Sequence, residues 1–226
     1  MIKTTTLNIA IDKTVQIDNL TIDTVNRVKN IRLDAGGKGI NVSKIIKSLG
    51  GESTAIGIIS GNNGAFIKSQ LEQDNIHYDF VESNGETRVN LKIVDTNLGT
   101  HTDINEQGVP ISNEVIDQVE KKIFNNLEQD SILVISGSAP PLVPKDIYRK
   151  WIEKAKKRGV KTILDADGDL LREGIKGGPY LIKPNIDEME RLINKKINSI
   201  EEAIEEGKKL LDYGIHMIVI SLGKEG

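Results

Sequence analysis

Short apolar runs alternate along the chain with stretches in which apolar residues recur every three or four positions. Thr4 to Ile11 reads as a first strand that breaks at Asp12-Lys13, and Ser53 to Ile59 as a second that ends in the turn Ser60-Gly61-Asn62-Asn63-Gly64. Between them Val42, Ile45, Ile46 and Leu49 fall at i, i+3, i+4 and i+7, which predicts the buried face of a helix stopped by Gly50-Gly51. Ser131 to Ile135 is a short apolar strand closed by Ser136-Gly137-Ser138. A second helix carries the stripe Tyr148, Trp151, Ile152 and Ala155 and ends at Gly159. Strands are predicted over Lys161 to Leu164, Tyr180 to Lys183 and Met217 to Ile220, and a helix opened by Ser199 with Glu202 as its capping-box partner precedes the last. Short apolar strands separated by amphipathic helices bury both faces of a sheet, so the pattern predicts an α/β fold: a mostly parallel sheet between two helical layers.

Two segments break this rhythm. Val15 to Leu33 and Glu86 to Asp103 show polar and apolar residues in alternation, as in VNRVKNIRL and TRVNLKIVD, without helical periodicity. They predict strands wetted on one side, grouped as a small second sheet that covers a ligand cleft or pairs two copies of the chain. Ordinary edge strands of the main sheet are the alternative.

Composition narrows the classes. Thirty basic and 33 acidic residues leave a net charge of −3 with mixed signs throughout, so no basic field is offered to nucleic acid or to an anionic membrane. Cysteine is absent, which removes disulfides and thiolate chemistry, and His77, His101 and His216 are too scattered to suggest a metal motif. Neither a membrane-length apolar run nor a signal-peptide pattern is present, and a soluble, cytoplasmic protein is expected.

The stretch LDAGGKGIN, Leu33 to Asn41, places Gly36, Gly37 and Gly39 around Lys38 where a helix begins. Free amides at a helix start, with a lysine beside them, suit an anion, and glycine lets a ligand approach the backbone; a tight turn forced by packing explains the same residues. Neither GxGxxG nor a Walker loop occurs. The run Asp165-Ala166-Asp167-Gly168-Asp169 lacks the remainder of a calcium loop and reads as turn and helix-start chemistry.

Taken together, TLNIAID (6–12), AGGKGIN (35–41), ETRVN (86–90), ISGSAP (135–140), KPNIDE (183–188) and ISLGKEG (220–226) resemble, in order and spacing, the ribokinase-like carbohydrate kinases of the PfkB family. The similarity is greatest to the branch of 1-phosphofructokinases and tagatose-6-phosphate kinases. The resemblance implies a three-layer α-β-α sandwich with a β-sheet lid inserted at approximately 12–35 and 86–103, a homodimer formed through that lid, and ATP and Mg²⁺ as cofactors. It implies that Asp12 holds sugar hydroxyls and that Gly36, Gly37, Lys38, Gly39 and Asn41 surround the sugar. Arg88 is implied to contact the substrate phosphate with help from Lys38, Arg27 to reach a phosphate from the lid, and Ser138 to lie on the substrate side. Lys183 is implied to approach the nucleotide phosphates, Asn185 and Glu188 to organise magnesium through water, and Ser221 and Gly223 to begin the nucleotide edge. The family's catalytic aspartate follows the last of these motifs, so the base is expected beyond Gly226.

Chemistry makes these types reasonable independently. A hydroxyl attacking a γ-phosphate needs positioning and neutralisation of phosphate charge, and a guanidinium fork suits a second phosphate on the sugar. Each residue also has a plainer role: Asp12 as a strand breaker, Arg88 as a cross-strand charge, Lys183 as part of a Lys-Pro-Asn turn, and Glu188 as a first-turn acid. The expected substrate is fructose 1-phosphate, with tagatose 6-phosphate next. A noncatalytic sugar-phosphate-binding protein on the same fold is the alternative of another class.

Overall fold

A computed structural model describes residues 1–223 and 226. The chain runs through β1 (Ile2–Thr6), β2 (Ala10–Ile17), β3 (Asn30–Gly36), α1 (Lys38–Ser48), β4 (Thr54–Ile59), α2 (Gly61–Gln73), β5 (His77–Glu82), β6 (Arg88–Asp95) and β7 (Thr100–Asn105). It continues with α3 (Asn113–Phe124), β8 (Ile132–Ser136), α4 (Ile147–Lys156), β9 (Lys161–Asp165), α5 (Gly168–Gly174), β10 (Leu181–Ile182), α6 (Ile186–Ile193), α7 (Ile200–Leu210) and β11 (Met217–Ile218). The main sheet has seven strands, ordered β11-β10-β9-β8-β1-β4-β5, with every pair parallel. A second sheet, β3-β2-β6-β7, joins β2 and β6 in parallel and pairs the outer strands antiparallel. The second alternating segment supplies β6 and most of β7, whereas the first, Val15 to Leu33, supplies only the end of β2 and the start of β3. No helix among the described residues is long and apolar enough to cross a membrane.

Two apolar clusters sandwich the main sheet. One joins Leu133, Ile135 and Leu164 of the strands to Val119 and Ile123 of α3 and to the α4 stripe, where Tyr148, Trp151, Ile152 and Ala155 are all fully buried. Trp151 donates its indole N–H to Glu120 Oε2 at 2.9 Å, so its one polar atom is satisfied. The other cluster packs Ile40 of α1 and Ile67 and Leu71 of α2 against Ile59 and Phe80.

Several elements depart from the periodic reading, each for a packing reason. Thr4 to Ile11 is not one strand: β1 ends at Thr6, the chain bends at Leu7-Asn8, and β2 enters the second sheet. Leu7 and Ile9 are both buried, one in each cluster, so the apolar pattern runs unbroken through the bend. Asp12 therefore lies inside β2 and not at the end of a main-sheet strand. Ser60 to Gly64 opens α2, with Ser60 as its N-cap, where a turn was expected. The α1 stripe is only partly turned inward: Val42 and Ile46 are partly buried, but Ile45 is 61% and Leu49 81% exposed, while Gly39, Ile40 and Ser43 are buried. Beside Ile40 the buried side carries small residues, and its polar group is paired: Ser43 Oγ lies 2.8 Å from Thr4 Oγ1 and 2.9 Å from Ser53 Oγ. Ser199 does cap α7, accepting from Glu202 N, yet the Glu202 carboxylate accepts from Asn198 N, so the expected reciprocal box is displaced by one residue. Patterning does not single out α2, α3 or β5, and Met217 to Ile220 contributes only the two residues of β11.

The second sheet has one polar anchor. Asp95, buried at the end of β6, accepts backbone N–H groups from Leu20 (2.6 Å), Leu98 (3.0 Å), Asn97 (3.0 Å) and Asn19 (3.2 Å), tying the end of β2 to the β6–β7 turn. The amides of Leu98 and Leu20 hold its carboxyl below the usual carboxylate range, against the opposing effect of burial. A carboxyl with a depressed folded pKa contributes stability that is complete above its unfolded value of about 3.9 and is lost as pH falls through the folded value. Asp95→Asn is expected to speed hydrogen exchange at Leu20 and Leu98 severalfold at neutral pH. The gap between variant and parent should close as pH falls through and below that unfolded value. Equal exchange at neutral pH would show that the anchor does not hold the sheet.

Candidate functional site

In a parallel sheet all strands end on one edge, and ligands bind in the crevice outside that edge. Here β1, β8 and β9 end beside the start of α1. Gly37, at φ +124°, is the N-cap of α1, and Gly39 N donates to Thr6 Oγ1 at 2.9 Å. A β-carbon on Gly39 would sit 2.5 Å from Thr6 Oγ1 and 2.8 Å from Thr5 O, and one on Gly36 would overlap the Asp12 carboxylate. The glycines thus permit close approach of backbone to β1 and to Asp12. The Gly39 amide expected to face outward is used internally.

The loop separates two compartments. On one side a cavity of about 670 Å³ lies between α1 and the second sheet, with Asp12, Asn41 and Asn90 among its lining residues and Arg32, Lys44 and Lys92 as its cations. Asn90 Nδ2 donates to Asp12 Oδ1 at 2.9 Å, and Asn90 Oδ1 accepts from Arg88 NH1 at 2.9 Å. Arg88 also donates to Glu106 O at 2.8 Å and, through Nε and NH2, to Asn8 O at 3.2 and 3.1 Å. Burial lowers the pKa of this guanidinium, opposed by the charges of Asp12 and Glu106. Asn8 Nδ2 in turn donates to Ser138 Oγ at 3.1 Å, which joins the end of β8 to the same network.

On the other side, charged groups meet at the sheet edge. Lys38 Nζ donates to Asp165 Oδ1 at 2.9 Å and reaches Glu188 Oε1 at 3.4 Å, while Lys183 Nζ pairs with Asp165 Oδ2 at 3.5 Å. Burial works against the Lys38 ammonium, but the hydrogen bonds and charges of Asp165 and Glu188 outweigh it and raise its pKa. Lys38 therefore faces away from the sugar-side network that the resemblance gave it, because two carboxylates hold it. Asn185 and Glu188 cap α6 reciprocally, Glu188 N to Asn185 Oδ1 at 2.7 Å and Asn185 N to Glu188 Oε2 at 3.0 Å. This leaves Glu188 Oε1 directed at the cluster. Ser221 bridges to Asn185 in parallel, and Gly223, at φ +65°, follows it.

The structure brings together Asp12, Asn41 and Arg88 on one side of the loop and Lys38, Lys183, Asn185 and Glu188 on the other. Arg27 is not gathered in: it is exposed in the connection between β2 and β3. Sequence reasoning missed Asp165 and Asn90. Asp167 does cap α5, accepting from Gly168 N at 2.6 Å, but Asp165 is the last residue of β9 and bridges two lysines. Its signal was positional, an acid closing an apolar strand. Asn90 carried no such mark beyond its place in ETRVN.

The chain resembles known proteins along its whole length. Residues 5–226 match the model of the pfkB family carbohydrate kinases. The chain is 35% identical over all its 226 residues to a 1-phosphofructokinase of Bacillus subtilis (strain 168), covering 73% of that protein. It is 38% identical to a 1-phosphofructokinase of Borreliella burgdorferi, covering 72% of it. Among solved structures, phosphofructokinase-2 of Escherichia coli in complex with substrates and products superposes over the whole chain and 74% of its own, with a TM-score of 0.94 at 29% identity.

The contact of Gly39 with β1 is testable by itself. Gly39→Ala overpacks a site with no room, a change that costs about 1–3 kcal/mol and lowers the melting temperature of a domain this size by roughly 2–4 °C per kcal/mol. Thermal denaturation that leaves the variant as stable as its parent would show that α1 does not rest on β1 as described.

Proposed function

The chain belongs to the pfkB family of carbohydrate kinases, and from that membership we propose that it transfers the γ-phosphoryl group of ATP to a hydroxyl of a phosphorylated ketohexose, with fructose 1-phosphate as the substrate. One observation carries the assignment: a single glycine loop divides a cavity lined by Asp12, Asn41 and Asn90 from a cluster of lysines and carboxylates, so a sugar and a nucleotide phosphate chain meet at Gly36 to Gly39. The relatives named 1-phosphofructokinases, at 35% and 38% identity, support the choice of sugar.

In this reading Asp12 and Asn41 receive the sugar hydroxyls. Four of the five N–H groups of Arg88 are engaged by Asn8, Asn90 and Glu106, which fixes the guanidinium plane and leaves one N–H for the sugar phosphate. Lys183 and Lys38 attract the nucleotide phosphates, and binding them releases Lys38 from its carboxylates. Asp165 and Glu188 offer hard oxygen ligands suited to Mg²⁺, which is held by one or two carboxylates together with substrate phosphates. When bound, the ion supplies neutralisation of charge on the phosphates. The proton of the attacking hydroxyl is assigned to neither Asp12 nor Asp165 nor Asp167, whose carboxylates are engaged by Asn90, by the two lysines and by the α5 cap. The exposed Ile31, Leu33 and Ile104 of the second sheet support a homodimer formed through that sheet, which acts as a lid over the sugar.

Steady-state kinetics with ATP and Mg²⁺ over fructose 1-phosphate, tagatose 6-phosphate, fructose 6-phosphate and fructose test the proposal. The highest kcat/KM is expected for fructose 1-phosphate, and a preference for fructose itself would overturn it. Arg88→Ala removes a charge-assisted bond worth about 1.5–3 kcal/mol, so the KM for the sugar phosphate should rise roughly 10- to 100-fold with little change in the KM for ATP. Lys183→Ala should do the reverse, and equal effects on both substrates would count against the two compartments.

A further inference from the structure

Asn90 sits near the start of β6, opposite Asp12 of β2 on one side and Asn105 of β7 on the other, and lines the sugar cavity. Both ends of its side chain are bonded at 2.9 Å, to an acid on one side and to a guanidinium on the other. The amide orientation admits no ambiguity. An ionised carboxylate only accepts and a guanidinium only donates, so the NH₂ must face Asp12 and the carbonyl must face Arg88.

We infer that Asn90 is a positioning residue, a neutral spacer that keeps Asp12 and Arg88 apart so that each remains free to read the substrate. The inference rests on the reading of this cavity as a sugar-phosphate site. Asp12 and Arg88 carry opposite charges at the two ends of the Asn90 amide, and Arg88 is half-buried, where attraction is screened less than in water. With the amide removed, only the bonds of Arg88 to Asn8 O and Glu106 O hold its guanidinium against the pull of the Asp12 carboxylate. A direct pair would occupy the acceptor meant for sugar hydroxyls and the cation meant for the phosphate at the same time. The amide prevents this by giving each a hydrogen bond without neutralising either. Among residues of this size an aspartate would repel Asp12 and a leucine would leave both charges unpartnered, whereas asparagine alone matches donor to acid and acceptor to base.

The test is a double-mutant cycle of Asn90→Ala and Asp12→Asn, read by calorimetric titration of fructose 1-phosphate and by the KM values for the sugar phosphate and for ATP. Asn90→Ala is expected to weaken sugar-phosphate binding at least tenfold and to change the KM for ATP less than threefold. In the Asp12→Asn background the same change should cost much less, because no carboxylate remains for Arg88 to collapse upon. Asn90→Asp, which keeps the shape but replaces the donor with a second charge, should bind sugar phosphate at least as poorly as Asn90→Ala. Strict additivity in the cycle, or equal losses for both substrates, would overturn the inference, as would tight binding by Asn90→Asp. If the parent chain itself fails to bind fructose 1-phosphate, the functional reading falls instead, so the two failures are distinguishable.

Discussion

The site depends on one close approach, that of the start of α1 to the end of β1. Gly39 rests against the Thr5 backbone and the Thr6 side chain at a distance no β-carbon would allow, and its amide is bonded to Thr6 Oγ1. This contact places Lys38 at the mouth of the parallel strands and turns Gly36 toward Asp12. Every polar group assigned a role is positioned relative to that loop. The inner face of α1 joins the apolar Ile40 to Ser43, whose hydroxyl is satisfied by Thr4 and Ser53.

Charge is arranged differently on the two sides. On the nucleotide side, Lys38, Lys183, Asp165 and Glu188 compensate one another, so the cluster is stable without a ligand and can exchange its internal pairs for phosphate and metal. On the sugar side Asp12 and Arg88 are held apart by a neutral amide, and the pairing that would silence both is blocked. A cluster that must yield its partners to a highly charged ligand tolerates internal ion pairs. A cavity that must recognise hydroxyls and one phosphate needs its two charges kept available.

The second sheet is not a separate body. β1 passes into β2 after three residues, and β3 runs directly into the loop before α1. Movement of this sheet is therefore transmitted to both Asp12 and Gly36. Lys44 adds a tie, donating from α1 to Ala35 O at 2.7 Å.

Much of this organisation was legible in the amino-acid order. Alternating strands and helices determined a parallel sheet in three layers, the Tyr148 to Ala155 stripe marked a true core helix, and period-two alternation marked the second sheet. The KPNIDE run placed Asn185 and Glu188 three residues apart at a helix start, where their reciprocal bonds follow from local geometry alone. What tertiary structure decided was direction and partnership. The apolar residues of α1 predicted a buried face, but small hydrogen-bonded groups pack as closely, and the backbone of β1 selected them. Leu7 and Ile9 looked like one strand because both are buried, and only the existence of two cores separates them. Asp165 and Asn90 carry no local mark of their roles because Lys38 lies 127 positions from the first and Asp12 78 positions from the second. Periodicity records which residues avoid water, whereas a charged or amide group takes its meaning from the group it faces, and that is known only once the chain has folded.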